Sequence, residues 1–352
     1  KMYNPEFRRR FMLFDTKKCA QGGQGSIHTA RDSETGQEVI LKQIANDING
    51  VSQAAMRERY ALERFSTCEN VVQLVKCYAE NGSHIFVLEK CDVDLSELQQ
   101  LKRSQGKSLS QGQRHLILQD LLRVLQLIHS KNYCHRDLKL SNLLLKNSQV
   151  KVCDFGLCVN CAIVPEQNAG SFFYQSPEVH LSERQYLKQN DMWAAGMIAL
   201  SLLLSCDDED SVWIDLIAGE KLQHNSASIL KNISALIGTP SQDELKVRPE
   251  YFQCYFDGTK SAGVLDDILD KFQASQVEKE LINGCLRWDC EKRLEAAAAL
   301  QLFENVATEK ISKEEINKLK SDNKEKQKLK TSCIIDLDAP LADLQMDDLN
   351  FE

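Results

Sequence analysis

The chain has 352 residues, 43% hydrophobic and 27% charged, enough for one large or two modest domains with real cores. Its formal charge of −8 and pI near 5.5 argue against a general nucleic-acid binder, because neutralising phosphates needs a basic face. The longest apolar run, Ala194 to Cys206, is too short to span a bilayer, and "KMYNPEFRRR" lacks the apolar stretch of a signal peptide.

Thirteen scattered cysteines fit reduced thiols in a cytoplasmic or nuclear compartment better than a disulfide framework. From about Arg9 to Glu89 the pattern favours strands. "EVILKQI", "NVVQLVKCYA" and "HIFVLEK" are short β-branched runs bounded by turn sequences such as "ETGQ" and "ENGS". One helix interrupts them. In "SQAAMRERYALERF" the period is read as placing Ala55, Arg59 and Leu62 near one face and Glu58 on another.

After Asp92 the character turns helical. "QGQRHLILQDLLRVLQLIHSKN" carries Ile117, Leu121, Val124, Leu125 and Ile128 at helical spacing, and a second apolar helix over about Asn190 to Ser205 is expected at a domain centre. This divides the chain into a small β-rich unit over 1–91, a larger helical unit over 92–306 and a tail over 307–352. "TEKISKEEINKLKSDNKEKQKLK" is polar on all sides, as in a solvated helix or a disordered stretch. "TSCIIDLDAPLADLQMDDLNFE" alternates acids with apolar residues and has no basic residue, the composition of a mobile tail or of a docking peptide.

The chemistry-bearing signal is "HRDLKLSNLLL", from His135 to Leu145, with "DFG" starting at Asp154, twelve residues after Asn142. With the features on either side, these motifs resemble the eukaryotic-type serine/threonine protein-kinase family over Phe11 to Val306. "LIGTPSQDEL" and "ARDSETGQEVILKQI" are similar to the group of cyclin-dependent and mitogen-activated kinases. The resemblance implies a two-lobed α+β fold, with a β-rich N-lobe and a mainly helical C-lobe. It also implies ATP and Mg2+ as cofactors, and γ-phosphate transfer to serine or threonine of a protein substrate by a monomeric catalytic subunit.

Residue by residue, Asp137 matches the family's catalytic base, and Asn142 and Asp154 match the ligands of the metal, whose hardness suits oxygen donors. Lys139 matches the lysine that serine/threonine kinases direct at the transferred phosphate. Lys42 in "VILK" matches the ATP-anchoring lysine, with Glu58 as its acidic partner. Leu88 in "LEKC" matches the family residue at the back of the adenine pocket, where the resemblance implies that backbone groups of Glu89 and Cys91 meet the base. The phosphate-covering loop departs from G-x-G-x-x-G-x-V. "AQGGQGSI" puts Ala20 at the first glycine, Gly22 and Gly25 at the second and third, and Ile27 at the valine position. Two inner glycines still let backbone amides approach phosphate, so weakened ATP affinity is the most that Ala20 implies.

Other matches concern architecture and control. Glu178 in "SPE" is expected to pair with Arg293, and Asp191 in "DMWAAGMI" to brace the catalytic loop. Ser171 matches the hydroxyl residue beside that loop. "AAMRERYALERF" resembles the cyclin-contacting helix, with Arg57 beside Glu58, so a cyclin-like activating subunit is implied by analogy. Between Asp154 and Gly170 there is no serine, threonine or tyrosine. Glu166 stands at the usual activating phosphothreonine, whose phosphate the family holds with arginines at the positions of Arg136 and Arg57, while a third has become Val159. A permanent carboxylate in place of phosphate is one reading of Glu166, and a solvent-facing glutamate is the other.

Gly23 and Gln24 replace the glycine-loop threonine and tyrosine that many cyclin-dependent kinases phosphorylate. Gln175 replaces an arginine that helps build the group's proline pocket, which removes that basis for proline-directed specificity. Cys158 and Cys161 form a lone C-x-x-C near Cys153, read as chance placement in a cysteine-rich chain. The rival to a working kinase is a pseudokinase that keeps the fold for partner binding.

Overall fold

The computed structural model describes residues 5–13, 20–22, 25–46, 50–80, 82–162, 170–181, 188–205, 225–245, 255–256 and 261–335. Alternating β-branched residues build an antiparallel sheet in the N-lobe. Strands β1 (Phe11–Leu13) and β2 (Ala20–Gly22) both pair with β3 (Gly25–Asp32), which continues through β4 (Glu38–Ala45) and then β6 (Ser83–Glu89) to β5 (Leu74–Glu80). The two-residue period sorts the side chains. Val39, Leu41, Ile85 and Val87 join Phe7, Phe11 and Tyr78 on one face, beside helix α1 (Pro5–Arg10). Ile44, Phe86 and Leu88 take the other face, with the main core.

Helix α2 (Gln53–Arg64) crosses that second face and buries Ala55, Glu58, Ala61 and Leu62. The face expected for Arg59 is therefore corrected: Arg59 is exposed and pairs with Glu63, while Glu58 shares the stripe of Ala55 and Leu62. Offsets of three and four residues put position 58 on that stripe, and the buried Lys42 ammonium compensates its charge.

The C-lobe begins with β7 (Val93–Asp94) and α3 (Leu95–Arg103), which Asp94 caps by accepting from Glu97 N. A reciprocal Ser110–Gln113 capping box starts α4 (Gln111–Ser130). Then come β8 (Tyr133–Cys134), β9 (Leu143–Lys146), β10 (Gln149–Val152) and β11 (Val159–Asn160). Strand β9 lies between β10 and β7, and β11 pairs with β8. After α5 (Pro177–His180), helix α6 (Lys188–Leu204) is buried along nearly its whole length from Asn190 to Leu203, as its apolar sequence anticipates. The lobe continues through α7 (Ser226–Ile237), α8 (Gln242–Leu245), α9 (Leu265–Lys271), α10 (Gln276–Cys285) and α11 (Ala296–Gln301). Gly196 lets α10 approach α6, since a Cβ there would lie 2.8 Å from Cys285 Cβ.

Helix α12 (Lys313–Ile335) corrects the picture of a segment solvated on all sides. Ile311, Ile316 and Leu319 are buried, Lys102 Nζ meets Glu315 at 2.6 Å, and Lys320 donates to Asp92 O at 2.9 Å. Three apolar residues spaced through a polar stretch are enough for a seam against α3, and the packed structure continues past Val306.

Candidate active site

The cleft between the lobes gathers charge from four separate elements. Lys42 lies on β4, opposite Ile27 of β3 and Phe86 of β6, so its side chain leaves the sheet on the α2 face. Its Nζ donates to both Glu58 carboxylate oxygens at 2.8 Å and to Asp154 Oδ1 at 2.8 Å. Burial works to lower the Lys42 pKa, but attraction to Glu58 and Asp154 outweighs it and raises the value. Burial raises the Glu58 pKa, while Lys42 overcomes burial at Asp154 and keeps that carboxyl low.

Asp154 adopts left-handed backbone angles (φ 60°, ψ 66°), which few non-glycine residues do. That turn sends Phe155 into the core, 4.7 Å from the His135 ring and 6.2 Å from Phe65 at the end of α2. Aromatic packing thus ties the metal-ligand candidate to the helix that carries Glu58. Sequence spacing does not announce Phe65.

Asp137 and Asn142 share one loop. Asn142 Nδ2 donates to Asp137 O at 2.7 Å and to Asp137 Oδ2 at 3.2 Å, so its amide oxygen points away from that carboxylate. Ser171 N and Oγ both donate to Asp137 Oδ1 at 2.8 Å. Gly170 makes this approach workable, because a Cβ there would lie 2.3 Å from Arg136 O. The loop is braced from below by Asp191 at 2% exposure, which accepts from His135 N at 2.8 Å, Arg136 N at 2.9 Å and His129 Nε2 at 2.9 Å. Burial opposes ionisation of Asp191, yet these donors hold its carboxyl below the usual range. His129 is the brace partner that sequence inspection missed; its place in the last turn of the apolar α4 was the available signal.

Glu178 and Arg293 form two parallel bonds of 2.6 and 2.7 Å in the interior, with the guanidinium 5.0 Å above the Trp193 ring. Arg57 is half-buried and bonds Gln53 Oε1, while Arg136 Nη1 reaches Leu157 O at 3.5 Å. Burial pushes the Cys158 thiol pKa up, and the positive charges of Arg136 and Arg57 pull against that rise. Val159 is buried opposite Cys134. Lys139 precedes the short 3-10 turn that carries Asn142, whose backbone N donates to Lys139 O. Glu166 lies outside the described residues, as do Gly23 and Gln24, and of Ala20 and Gly22 the backbone pairing with Ile27 and Gly25 is described.

In the hinge, Leu88 is buried and the Glu89 carboxylate is anchored away from the cleft, bonding Gln73 N at 2.8 Å, Lys146 at 2.7 Å and Lys151 at 3.0 Å. Glu89 N is itself engaged by Gln73 O at 3.0 Å. Burial pushes the pKa of the half-buried Cys91 thiol up to about 12, which keeps it protonated at neutral pH.

The family model described as protein kinase domain matches residues 15–303. Mitogen-activated protein kinase 15 of Mus musculus is 30% identical over 301 residues, covering 81% of this chain and 52% of that protein. Cyclin-dependent kinase 20 of Pongo abelii is 29% identical over 293 residues, covering 80% of each. Mitogen-activated protein kinase mpkA of Aspergillus fumigatus is 32% identical over 219 residues, covering 58% of this chain and 50% of that protein. The chain thus spans about half the length of the mitogen-activated relatives it matches and four-fifths of the cyclin-dependent one. With the two lobes, the paired Lys42 and Glu58 and the braced loop, the match places this chain in the protein kinase family.

Proposed function

We propose that this chain transfers the γ-phosphate of ATP to serine or threonine side chains of proteins. The carrying observation is the convergence of Lys42, Glu58, Asp154, Asn142 and Asp137 in one cleft, with a hydroxyl already bonded to Asp137. ATP with a divalent cation, when bound, supplies an electrophilic phosphorus at the cleft. Asp154 and the amide oxygen of Asn142 are hard donors suited to magnesium, and the cluster carries two carboxylates against one ammonium, a charge balance that favours a cation. Lys42, held by two acids, would meet phosphate oxygens when the nucleotide binds. Asp137 Oδ1 receives a hydroxyl at 2.8 Å from Ser171, the reach a general base needs for a substrate hydroxyl. Lys139, two residues after Asp137, would add positive charge at the transferred phosphate.

A peptide array with the purified chain, Mg2+ and ATP tests this. Phosphate on serine and threonine spots is expected; label on tyrosine alone, or on none with partners added, contradicts it. The same array reads proline dependence, for which Gln175, donating to Gly170 O at 3.1 Å, provides no arginine.

Control fits a segment without a phosphate acceptor. Glu166 serves as a fixed carboxylate for Arg136 and Arg57, which stand at the positions of the family's phosphate-holding arginines. A charge-assisted bond of this kind contributes roughly 1.5–3 kcal/mol, enough to bias a loop between two states. Glu166→Ala is expected to lower peptide turnover several-fold, and unchanged turnover discards the assignment. The outer face of α2 exposes Met56 (60%) and Tyr60 (51%), with Val51 just before the helix, which suits docking of a cyclin-like subunit.

A further inference from the structure

A pair of thiols sits at the root of the activation segment. Cys134 ends β8, immediately before His135, and Cys161 follows β11. In the antiparallel register Val159 faces Cys134, and Cys161 N donates to Asn132 O at 2.8 Å, so Cys161 crosses diagonally over Cys134. The two sulfurs lie 2.7 Å apart. The C-x-x-C spacing of Cys158 and Cys161 misdirects here, because the residue that Cys161 meets comes from the catalytic loop.

The two thiols are unequal. Cys134 is fully buried, whereas Cys161 is partly exposed and is the one a reagent reaches first. Hydrogen bonding to Cys134 holds the Cys161 pKa below the ordinary thiol range, and burial only partly offsets this. The same contact, with burial, raises Cys134. A partly exposed thiol of lowered pKa beside a second sulfur is the arrangement of an attacking and a resolving cysteine.

We propose that Cys134 and Cys161 form a reversible disulfide when the protein meets hydrogen peroxide, tying the activation segment covalently to the catalytic loop. The Cys161 thiolate attacks one peroxide oxygen and the O–O bond breaks. Cys161 becomes a sulfenic acid, and the departing hydroxide takes up the proton Cys161 had released. The Cys134 sulfur then attacks the sulfenic sulfur, the S–O bond breaks, and hydroxide leaves as water with the Cys134 proton. In total two thiols give two electrons and two protons to the peroxide, which becomes two waters. A dithiol reverses the bond by exchange.

Closing from 2.7 Å to a bonded sulfur pair requires about 0.7 Å of movement. The contact coexists with the Lys42–Glu58 and Lys42–Asp154 bonds, so the bridge matches the assembled cleft rather than a dismantled one. In a compartment that keeps thiols reduced, such a bond is transient and reports oxidant.

Folded wild-type protein treated with hydrogen peroxide, alkylated and mapped by mass spectrometry tests this. The expected product has lost about 2 Da and joins tryptic peptide 132–136 to peptide 152–184. Fragmentation should assign the bridge to Cys161 rather than Cys153 or Cys158, and dithiothreitol should remove it. Cys161→Ser should abolish the cross-link, and Cys134→Ala should leave Cys161 as a trappable sulfenic acid. A bridge to Cys153 or Cys158, or a Cys134 that stays fully alkylatable after peroxide, overturns the proposal. The readout is covalent mass, so this result stands apart from whether phosphoryl transfer is observed.

Discussion

Lys42–Glu58 in the small lobe and Glu178–Arg293 beneath the cleft are both buried ion pairs that join elements distant in sequence, yet their surroundings differ. At Lys42 one ammonium serves two carboxylates, Glu58 and Asp154, and the cleft is left with excess negative charge. At Arg293 one guanidinium meets one carboxylate through two parallel bonds. Its remaining donors reach Arg287 O at 2.9 Å and Gln189 O at 3.3 Å. The first cluster carries net negative charge beside the cleft, which suits a cation. The second is satisfied as it stands. Burial of charge alone therefore does not mark a functional site; an unbalanced and reachable cluster does.

The largest expected effect separates chemistry from architecture. Asp137→Asn should lower kcat on the order of 10²–10⁴-fold, the usual share of a general base, with a far smaller loss of stability from the weakened Ser171 and Asn142 bonds. A fall in stability without a fall in rate would move Asp137 to the architectural side of the comparison.

Next come the two pairs themselves. Arg293→Leu should cost about 3–5 kcal/mol in chemical denaturation by stranding a buried carboxylate. Glu58→Gln should cost less, because Lys42 keeps Asp154, but should lower kcat/KM for ATP. Equal stability losses at both sites would erase the distinction.

His180 offers a titration on the architectural side. It is buried with its ring 4.9 Å from Phe172, and burial pushes its pKa down to about 4 against the pull of Glu178. The unfolded chain therefore binds this proton more readily than the folded one. Stability is fully present above pH about 6.5 and falls through the window down to about 4, by about 3 kcal/mol in all. His180→Phe should flatten that part of the stability profile; an unaltered slope would show that the ring is not kept neutral by burial. The smallest effect is expected at the tail helix, where Leu319→Ala should cost about 2 kcal/mol with kinetics unchanged.

Much of this was legible beforehand for physical reasons. The buried α6 announced itself through an unbroken apolar run, and the loop from His135 to Asn142 through residues that phosphoryl transfer requires. The pairing of Glu178 with Arg293 came from family resemblance, since 115 residues separate them. What local pattern could not yield was set by partners elsewhere. Glu58 turns inward because Lys42 awaits it, α12 and the residues just before it dock through three apolar residues diluted in lysine and glutamate, and Cys161 finds Cys134 through a strand pairing of two residues on each side.

The most direct test of the central claim is phosphoamino-acid analysis after incubating the chain with γ-labelled ATP, Mg2+ and a mixture of protein acceptors. Label on serine or threonine that disappears with Asp137→Asn is the predicted result. A chain that binds nucleotide in the presence of Mg2+ yet labels no acceptor, with or without a cyclin-like partner, would contradict it.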